Sequence, residues 1–171
     1  MKTDSITCNE TTALRAVAFT GHRTILPEHL SEIRNLLLST VSRLYEQGAR
    51  DFYCGMALGF DLLSAEAVLE LKKIHNTIRL IAVIPFEDQD RFFPEADKIR
   101  YHNALAMADE RVTLCPKYHR FAYRNRNYYL ICHCSDLIAY YIPSQNASGT
   151  AQTLRMAMRE NKTILNLYNF L

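Results

Sequence analysis

Residues 14–23, LRAVAFTGHR, decide the fold. Leu14 to Thr20 reads as a short buried strand, and it ends in Gly21-His22-Arg23. Pro27 then suits the first turn of a helix. Leu30, Ile33, Leu37, Val41 and Leu44 follow at helical spacing, and Gly48 is a natural C-terminal stop. A buried strand, a polar turn and an amphipathic helix in this order set a pattern that the rest of the chain repeats.

A second strand spans Asp51 to Cys54, followed by the turn Gly55-Met56-Ala57-Leu58-Gly59-Phe60-Asp61. The helix expected from Leu62 to Ile74 has a narrow polar stripe of Glu66, Glu70 and Lys73, so most of its circumference is covered. Ile78 to Ile84 is an apolar strand interrupted by Arg79 and stopped by Pro85. A third helix occupies Ala96 to Ala108, and Arg111 to Cys115 is a fourth strand, stopped by Pro116. Phe121 to Cys134 reads as a helix, Asp136 to Ile142 as a fifth strand, and Ser148-Gly149-Thr150 opens a last helix to Glu160. Thr163 to Leu167 closes as a sixth strand. Near-continuous apolar strands alternating with helices belong to parallel sheets covered on both faces. The expected architecture is α/β: a single Rossmann-like, doubly wound domain over residues 14–171, behind a polar tail at 1–13. Its mostly parallel sheet has about six strands with helices on both faces.

Composition narrows the class further. With 49% apolar and 22% charged residues, the 171-residue chain can bury a core of ordinary size. Five glycines are too few for a collagen-like or linker-like chain. A net charge of +2, from 20 Lys+Arg against 18 Asp+Glu, excludes binding to nucleic acid mainly by bulk charge. The tail lacks the apolar region of a signal peptide, and Leu80 to Ile84 is far too short to span a membrane. Asn-x-Ser/Thr triplets at Asn9, Asn146 and Asn161 then read as chance. The five cysteines, Cys8, Cys54, Cys115, Cys132 and Cys134, have no disulfide rhythm. A reduced, cytoplasmic setting is expected, with no membrane partner and with a homo-oligomer left open.

Open α/β sheets bind ligands beyond the carboxyl ends of their strands. Those ends collect Thr20, Gly21, His22 and Arg23; Gly55, Met56, Gly59 and Asp61; Pro85 and Phe86; and Ser148, Gly149 and Thr150. Four of the five glycines fall among them. Ser148-Gly149-Thr150 stands before a helix, where free N–H groups and the helix dipole favour an anion; a plain N-cap is the alternative. Arg23 suits a bidentate phosphate contact or a solvated surface. Asp61 suits a ribose hydroxyl, a cation or a helix cap. Gly55 to Gly59 matches neither a P-loop nor a dinucleotide fingerprint. Arg124 and Arg126, with Asn125 and Asn127, open the fourth expected helix against its dipole and call for an anionic partner. Two positions apart, at most one of these arginines faces a shared site; Arg124, Asn125 and Asn127 are the candidates. Cys132-His133-Cys134 has the composition of a metal site, but neighbours at that spacing diverge on a helix and no second pair completes a ligand set. No metal is expected, and no catalytic set is assigned.

These motifs together resemble one family. AVAFTGHR, YCGMALGFDLLSAE at 53–66, LIAVIPFEDQ at 80–89, YRNRNYYLICHCSDLIAYY at 123–141 and SGTAQT at 148–153 resemble, in order, the YpsA-like, DUF1273-type branch of the SLOG superfamily. That superfamily also holds the DprA DNA-processing proteins and the LOG phosphoribohydrolases. The resemblance implies a Rossmann-like fold with a nucleotide or nucleotide-derived ligand, ADP-ribose-like molecules included, at the strand ends. It places Thr20, Gly21 and Arg23 in the family's first loop and Gly55, Gly59 and Asp61 in its G-x-x-x-G-x-D turn. Asn125 and Asn127 fall in its Arg/Asn-rich helix, and Gly149 and Thr150 in its Gly-Gly-Thr element. Two departures stand out. Ser148 replaces the first glycine of Gly-Gly-Thr, and Thr153 stands where the LOG enzymes carry their catalytic glutamate. The expected function is therefore ligand binding by a sensing or regulatory module. The alternatives are a LOG-like N-glycosidic hydrolase, with Asp61 or Glu66 as substitute carboxylate, and a DprA-like binder of single-stranded DNA. For the last, Tyr118, His119, Arg120, Phe121, Tyr123, Arg124 and Arg126 supply the local basic and aromatic side chains.

Overall fold

The computed structural model describes residues 15–145 and 147–171. The expected tail with Cys8 and Asn9, the strand position Leu14, and Asn146 lie outside the described residues. The strands are β1 (Ala16–Gly21), β2 (Asp51–Cys54), β3 (Arg79–Ile84), β4 (Glu110–Thr113), β5 (Asp136–Tyr140) and β6 (Thr163–Asn166). The helices are α1 (Leu30–Glu46), α2 (Phe60–Lys72), α3 (Glu95–Met107), α4 (Ala122–Cys132) and α5 (Gly149–Arg159). The sequence places all eleven; the differences are at the ends. Pro27 starts a separate helical turn, Pro27–His29, ahead of α1. The fifth strand stops at Tyr140 rather than Ile142 because side chains take over its amides. Tyr141 N–H donates to Asn166 Oδ1 at 2.9 Å, and Ile142 N–H donates to His22 Nε2 at 2.9 Å.

All six strands are parallel, in the order β4-β3-β2-β1-β5-β6. From β1 the chain walks outward to β4 through α1, α2 and α3. Helix α4 then carries it back to β5 on the other side of β1. The alternation of side chains along a strand divides the core between two faces. Val17, Phe19, Phe52 and Tyr140 pack with Ile33, Leu37 and Val41 of α1 and Leu62 and Val68 of α2. Ala18, Ile81, Val83 and Leu137 pack with Leu130 and Ile131 of α4 and Leu154 and Ala157 of α5. At the amino end of the sheet, Arg15 grips the buried Asp136 carboxylate through Nε at 2.7 Å and Nη2 at 2.6 Å, tying β1 to β5. Successive connections run to opposite faces between β1 and β5, so their carboxyl ends open a crevice there.

Candidate functional site

A cavity of about 250 Å³ lies in that crevice. Its floor is the end of β1, from Phe19 to Arg23, and Ser148, Gly149 and Thr150 close one side. Ala57 and Asp61 enter from the β2–α2 turn, and Tyr123, Arg126, Asn127 and Leu130 from α4. Six side chains with polar atoms are more than nine-tenths buried here: Thr20, His22, Asp61, Arg126, Asn127 and Thr150.

The β2–α2 turn is held in an uncommon backbone path. Met56 has φ of 55° and Gly59 has φ of 74°. A non-glycine residue in the left-handed region is strained, and such strain persists only where neighbours over-determine it. They do so here. Gln89 Nε2 donates to the carbonyls of Gly55 and Met56 at 3.2 and 3.1 Å, and Arg126 Nη1 donates to the Gly55 carbonyl. A Cβ at Gly59 would overlap the Arg23 carbonyl and come within 2.7 Å of His22 O. A Cβ at Gly55 would run into the Arg126 guanidinium. Both glycines serve close approach within the protein and stand behind the cavity wall rather than in it.

Asp61 lies in the first turn of α2 with its carboxylate turned back to the β2–α2 turn. Oδ2 accepts from Ala57 N–H at 3.3 Å and from Arg126 Nη1 at 3.3 Å. Burial pushes this carboxyl up, and the nearby Arg126 only partly offsets that. Arg126 also donates through Nε to Asn127 Oδ1 at 2.7 Å. Asp61 Oδ1, Arg126 Nη2, Asn127 Nδ2 and the hydroxyls of Thr20 and Thr150 have no hydrogen-bond partner among the described residues. None of these atoms is sealed in the core, since among the described residues only Gln89 Oε1 and Tyr101 OH are both buried and unpartnered.

At α5 the Ser148 hydroxyl caps the helix, accepting from Ala151 N–H at 3.1 Å. The Gly149 and Thr150 amides precede the first intrahelical bonds and have no acceptor among the described residues. Thr153 is fully buried, and its hydroxyl donates to Gly149 O at 3.0 Å. His22 is buried as well, its Nε2 taken by Ile142 N–H. Exposed Arg23 lays its guanidinium over the Tyr123 ring at 5.2 Å.

Of the sequence candidates, Thr20, Gly21, His22, Arg23, Asp61, Asn127, Ser148, Gly149 and Thr150 line this cavity together. Gly55, Met56, Gly59, Pro85, Phe86, Arg124 and Asn125 do not. The Met56 side chain is in the core, and Phe86 is buried under Tyr118 and Tyr123. Arg124 and Asn125 line a separate groove with Tyr128, Met156, Arg159 and Glu160. Arg126 takes the place expected of Arg124. Ala122, Arg126 and Leu130 recur at four-residue spacing, which puts Arg126 on the sheet-facing stripe of α4; that register was the available signal. Phe19, Ala57 and Leu130 of the cavity and Gln89 behind the turn were also missed, and Tyr123, expected only among the DNA-binding side chains, lines the cavity. Glu66 lies on the far side of α2, paired with Arg100. Cys132 and His133 are exposed while Cys134 is buried, and among the described residues no three His, Cys, Asp or Glu side chains converge on a metal position. No helix among the described residues is long and apolar enough to cross a membrane.

Comparison with known proteins agrees with this architecture. A UPF0398 protein of Halalkalibacterium halodurans is 30% identical over 114 residues, covering 66% of this chain and 60% of its own length. The SPbeta prophage-derived protein YoqJ of Bacillus subtilis is 30% identical over 141 residues, 75% of this chain and 81% of its own. The chain spans 60% and 65% of the first two UPF0398 relatives it matches. In fold it is similar to DNA processing protein A from Helicobacter pylori, described for its single-stranded DNA binding mode. The TM-score is 0.64 at 20% identity, over 88% of this chain and 64% of that one. The profile of the YspA SLOG family matches residues 26–169. The chain belongs to that family, the branch its motifs resemble.

Proposed function

We propose that this chain binds a nucleotide or a nucleotide-derived molecule, ADP-ribose-like compounds included, in the crevice between β1 and β5, as a sensing or regulatory module. The observation that carries this reading is the set of buried polar side chains around the cavity whose free atoms have no partner among the described residues. These atoms sit on side chains that packing holds in place, yet they remain open to the crevice and can take a partner that enters it. Several together in one crevice fit a ligand that completes them. Hydroxyls, an amide, a guanidinium and two helix amides are donors, which suits a phosphate; Asp61 Oδ1 is an acceptor, which suits a hydroxyl. Free thiols at Cys54, Cys115, Cys132 and Cys134 fit a reduced, cytoplasmic setting.

Calorimetric titration with adenine and guanine nucleotides and ADP-ribose tests this. At least one should bind with measurable heat, and silence from all of them at millimolar concentration refutes the reading. Binding is favoured over hydrolysis because Thr153 and Glu66 supply no carboxylate to the cavity and Asp61 is tied to Arg126. Release of free base and ribose phosphate from a nucleoside monophosphate would overturn that preference.

One observation favours a second reading, in which single-stranded DNA lies across the rim. Tyr118 and Phe121 are exposed, Arg120 sits over the Phe121 ring at 4.4 Å, and residues 117–127 hold no acidic side chain. Stacking rings beside cations suit an unpaired strand, and the similar fold of DNA processing protein A adds support. A fluorescent oligonucleotide should then bind at low salt and be released as salt rises. No salt-dependent binding ends this reading.

A further inference from the structure

His22 stands out among the cavity residues because one of its ring nitrogens is already committed. Ile142 N–H donates to Nε2 at 2.9 Å. A backbone amide can only donate, so Nε2 must be the bare nitrogen and the proton of the neutral ring must sit on Nδ1. The ring is held in that pose by Tyr140, edge-on at 5.9 Å, and by Tyr141 at 5.8 Å. Nδ1 has no hydrogen-bond partner among the described residues and is not sealed in the core. His22 is 6% exposed and lines the cavity with Thr20 and Asp61.

We propose that His22 enters the cavity as a neutral Nδ1–H donor, its tautomer fixed by the Ile142 amide, and hydrogen-bonds a phosphate or ribose oxygen of the bound molecule. This rests on the nucleotide reading above and assigns one specificity contact within it. The same imidazole has a second duty. Ile142 lies two residues past β5, so the ring also anchors the start of the connection that leads toward Ser148. A neutral donor differs from Arg23 and Arg126 in what it selects. It adds no charge, so it favours an acceptor oxygen by position rather than by the field of a cation.

Long-range proton–nitrogen NMR on the labelled full chain reads the His22 tautomer directly and tests the first half. His22→Asn identifies which of the six histidine signals is lost. Near neutral pH the His22 ring should show a protonated Nδ1 and a bare Nε2. A protonated Nε2, or an averaged pair of tautomers, overturns the proposal. The second half uses AMP, ADP-ribose and inorganic phosphate as probes, with calorimetry on the same samples. For a probe that gives heat, the His22 Nδ1 signal should move as the site fills, and His22→Asn should weaken binding roughly tenfold or more. Heat with unmoved His22 signals overturns this inference and leaves the nucleotide reading standing. No heat from any probe overturns both.

Discussion

Gly149→Ala should separate the fold from the site. Gly149 opens α5 without positive φ, and a Cβ built there meets nothing within 4 Å. The protein's own packing therefore gives no reason for glycine. Alanine in a helix is favoured over glycine by at most about 1 kcal/mol, and less at a first-turn position. For a chain of this size that raises Tm by no more than about 2–4 °C. Binding should respond in the opposite sense. The added methyl stands beside the free amides of Gly149 and Thr150, where a phosphate would approach the backbone. Hydrogen bonds to charged groups contribute roughly 1.5–3 kcal/mol each. Losing one good contact weakens nucleotide binding about tenfold or more, and Gly149→Val should abolish it. Gly59→Ala is the control. With φ of 74° and the Arg23 carbonyl in the way, it combines backbone strain with overpacking, each costing about 1–3 kcal/mol. Its Tm should fall by roughly 5–20 °C. Thermal melts and calorimetric titrations on the same preparations provide both readouts. If Gly149→Ala melts several degrees below wild type, or binds nucleotide as tightly, the reasoning about this position is wrong.

Other consequences follow from the buried groups. Arg126→Ala leaves the Asp61 carboxylate unpaired and should cost about 3–5 kcal/mol in urea unfolding, part of it recovered by adding Asp61→Asn; a wild-type midpoint would refute the buried pairing. Burial holds His22 below the ordinary histidine range. Burial also pushes the Asp136 carboxyl up, but hydrogen bonds from Arg15 and Ser135 outweigh it and leave it below the carboxylate range. In both cases the unfolded chain binds the proton more readily, so the stability these two groups contribute is complete above about pH 6.5 and is lost in two steps on acidification, while Asp61, held above the carboxylate range, acts in the opposite sense. The first step, below about pH 6.5, belongs to His22, and the second, below about pH 4, to Asp136. A urea midpoint that changes between neutral and mildly acid pH by the same amount in His22→Asn as in wild type would contradict the first step. Tyr118→Ala with Phe121→Ala should reduce low-salt oligonucleotide binding by about 2–6 kcal/mol if both rings stack bases, while leaving nucleotide binding unchanged; equal loss of both activities would argue against a separate rim surface.

The fold was legible because its signals are local. Apolar runs such as Ile78 to Ile84 and the i, i+4 spacing of Ile33, Leu37 and Val41 need no knowledge of what lies across the sheet. The crevice was legible for a topological reason, since parallel strands place all their carboxyl ends on one side. What the sequence hid was decided by side chains meeting across long separations. Gly55 and Gly59 look like ligand glycines, yet the groups that approach them are Arg126 and the Arg23 backbone, from α4 and the end of β1. His22 looks like a free ligand residue, yet its Nε2 is spent on Ile142, well over a hundred residues away. Phe86 follows a strand like the other candidates, but Tyr118 and Tyr123 cover it. Arg124 and Arg126 are equal in composition and differ only in helical phase, which Ala122 and Leu130 settle.

Two arginine–aspartate pairs among the described residues, the half-buried Arg15–Asp136 and the buried Arg126–Asp61, are built for different ends. Arg15 meets Asp136 with two short, parallel hydrogen bonds, the geometry in which Coulomb attraction best repays desolvation. Arg126 divides its guanidinium instead. Nε goes to Asn127, Nη1 is shared between the Gly55 carbonyl and a single 3.3 Å contact to Asp61, and Nη2 has no partner among the described residues. A pair so poorly matched, at 7% and 4% exposure, adds nothing to stability over apolar side chains of the same volume. Under the nucleotide reading, its use lies in position. Arg126 clamps the strained β2–α2 turn through Gly55 while keeping a positive donor toward the crevice, beside Asn127, Thr20 and the α5 amides. The charge is kept desolvated and fixed before any anion arrives, so a phosphate bound there would meet donors that need no further ordering. That preorganisation is what a binding site requires and what a stabilising salt bridge, such as Arg15–Asp136, does not.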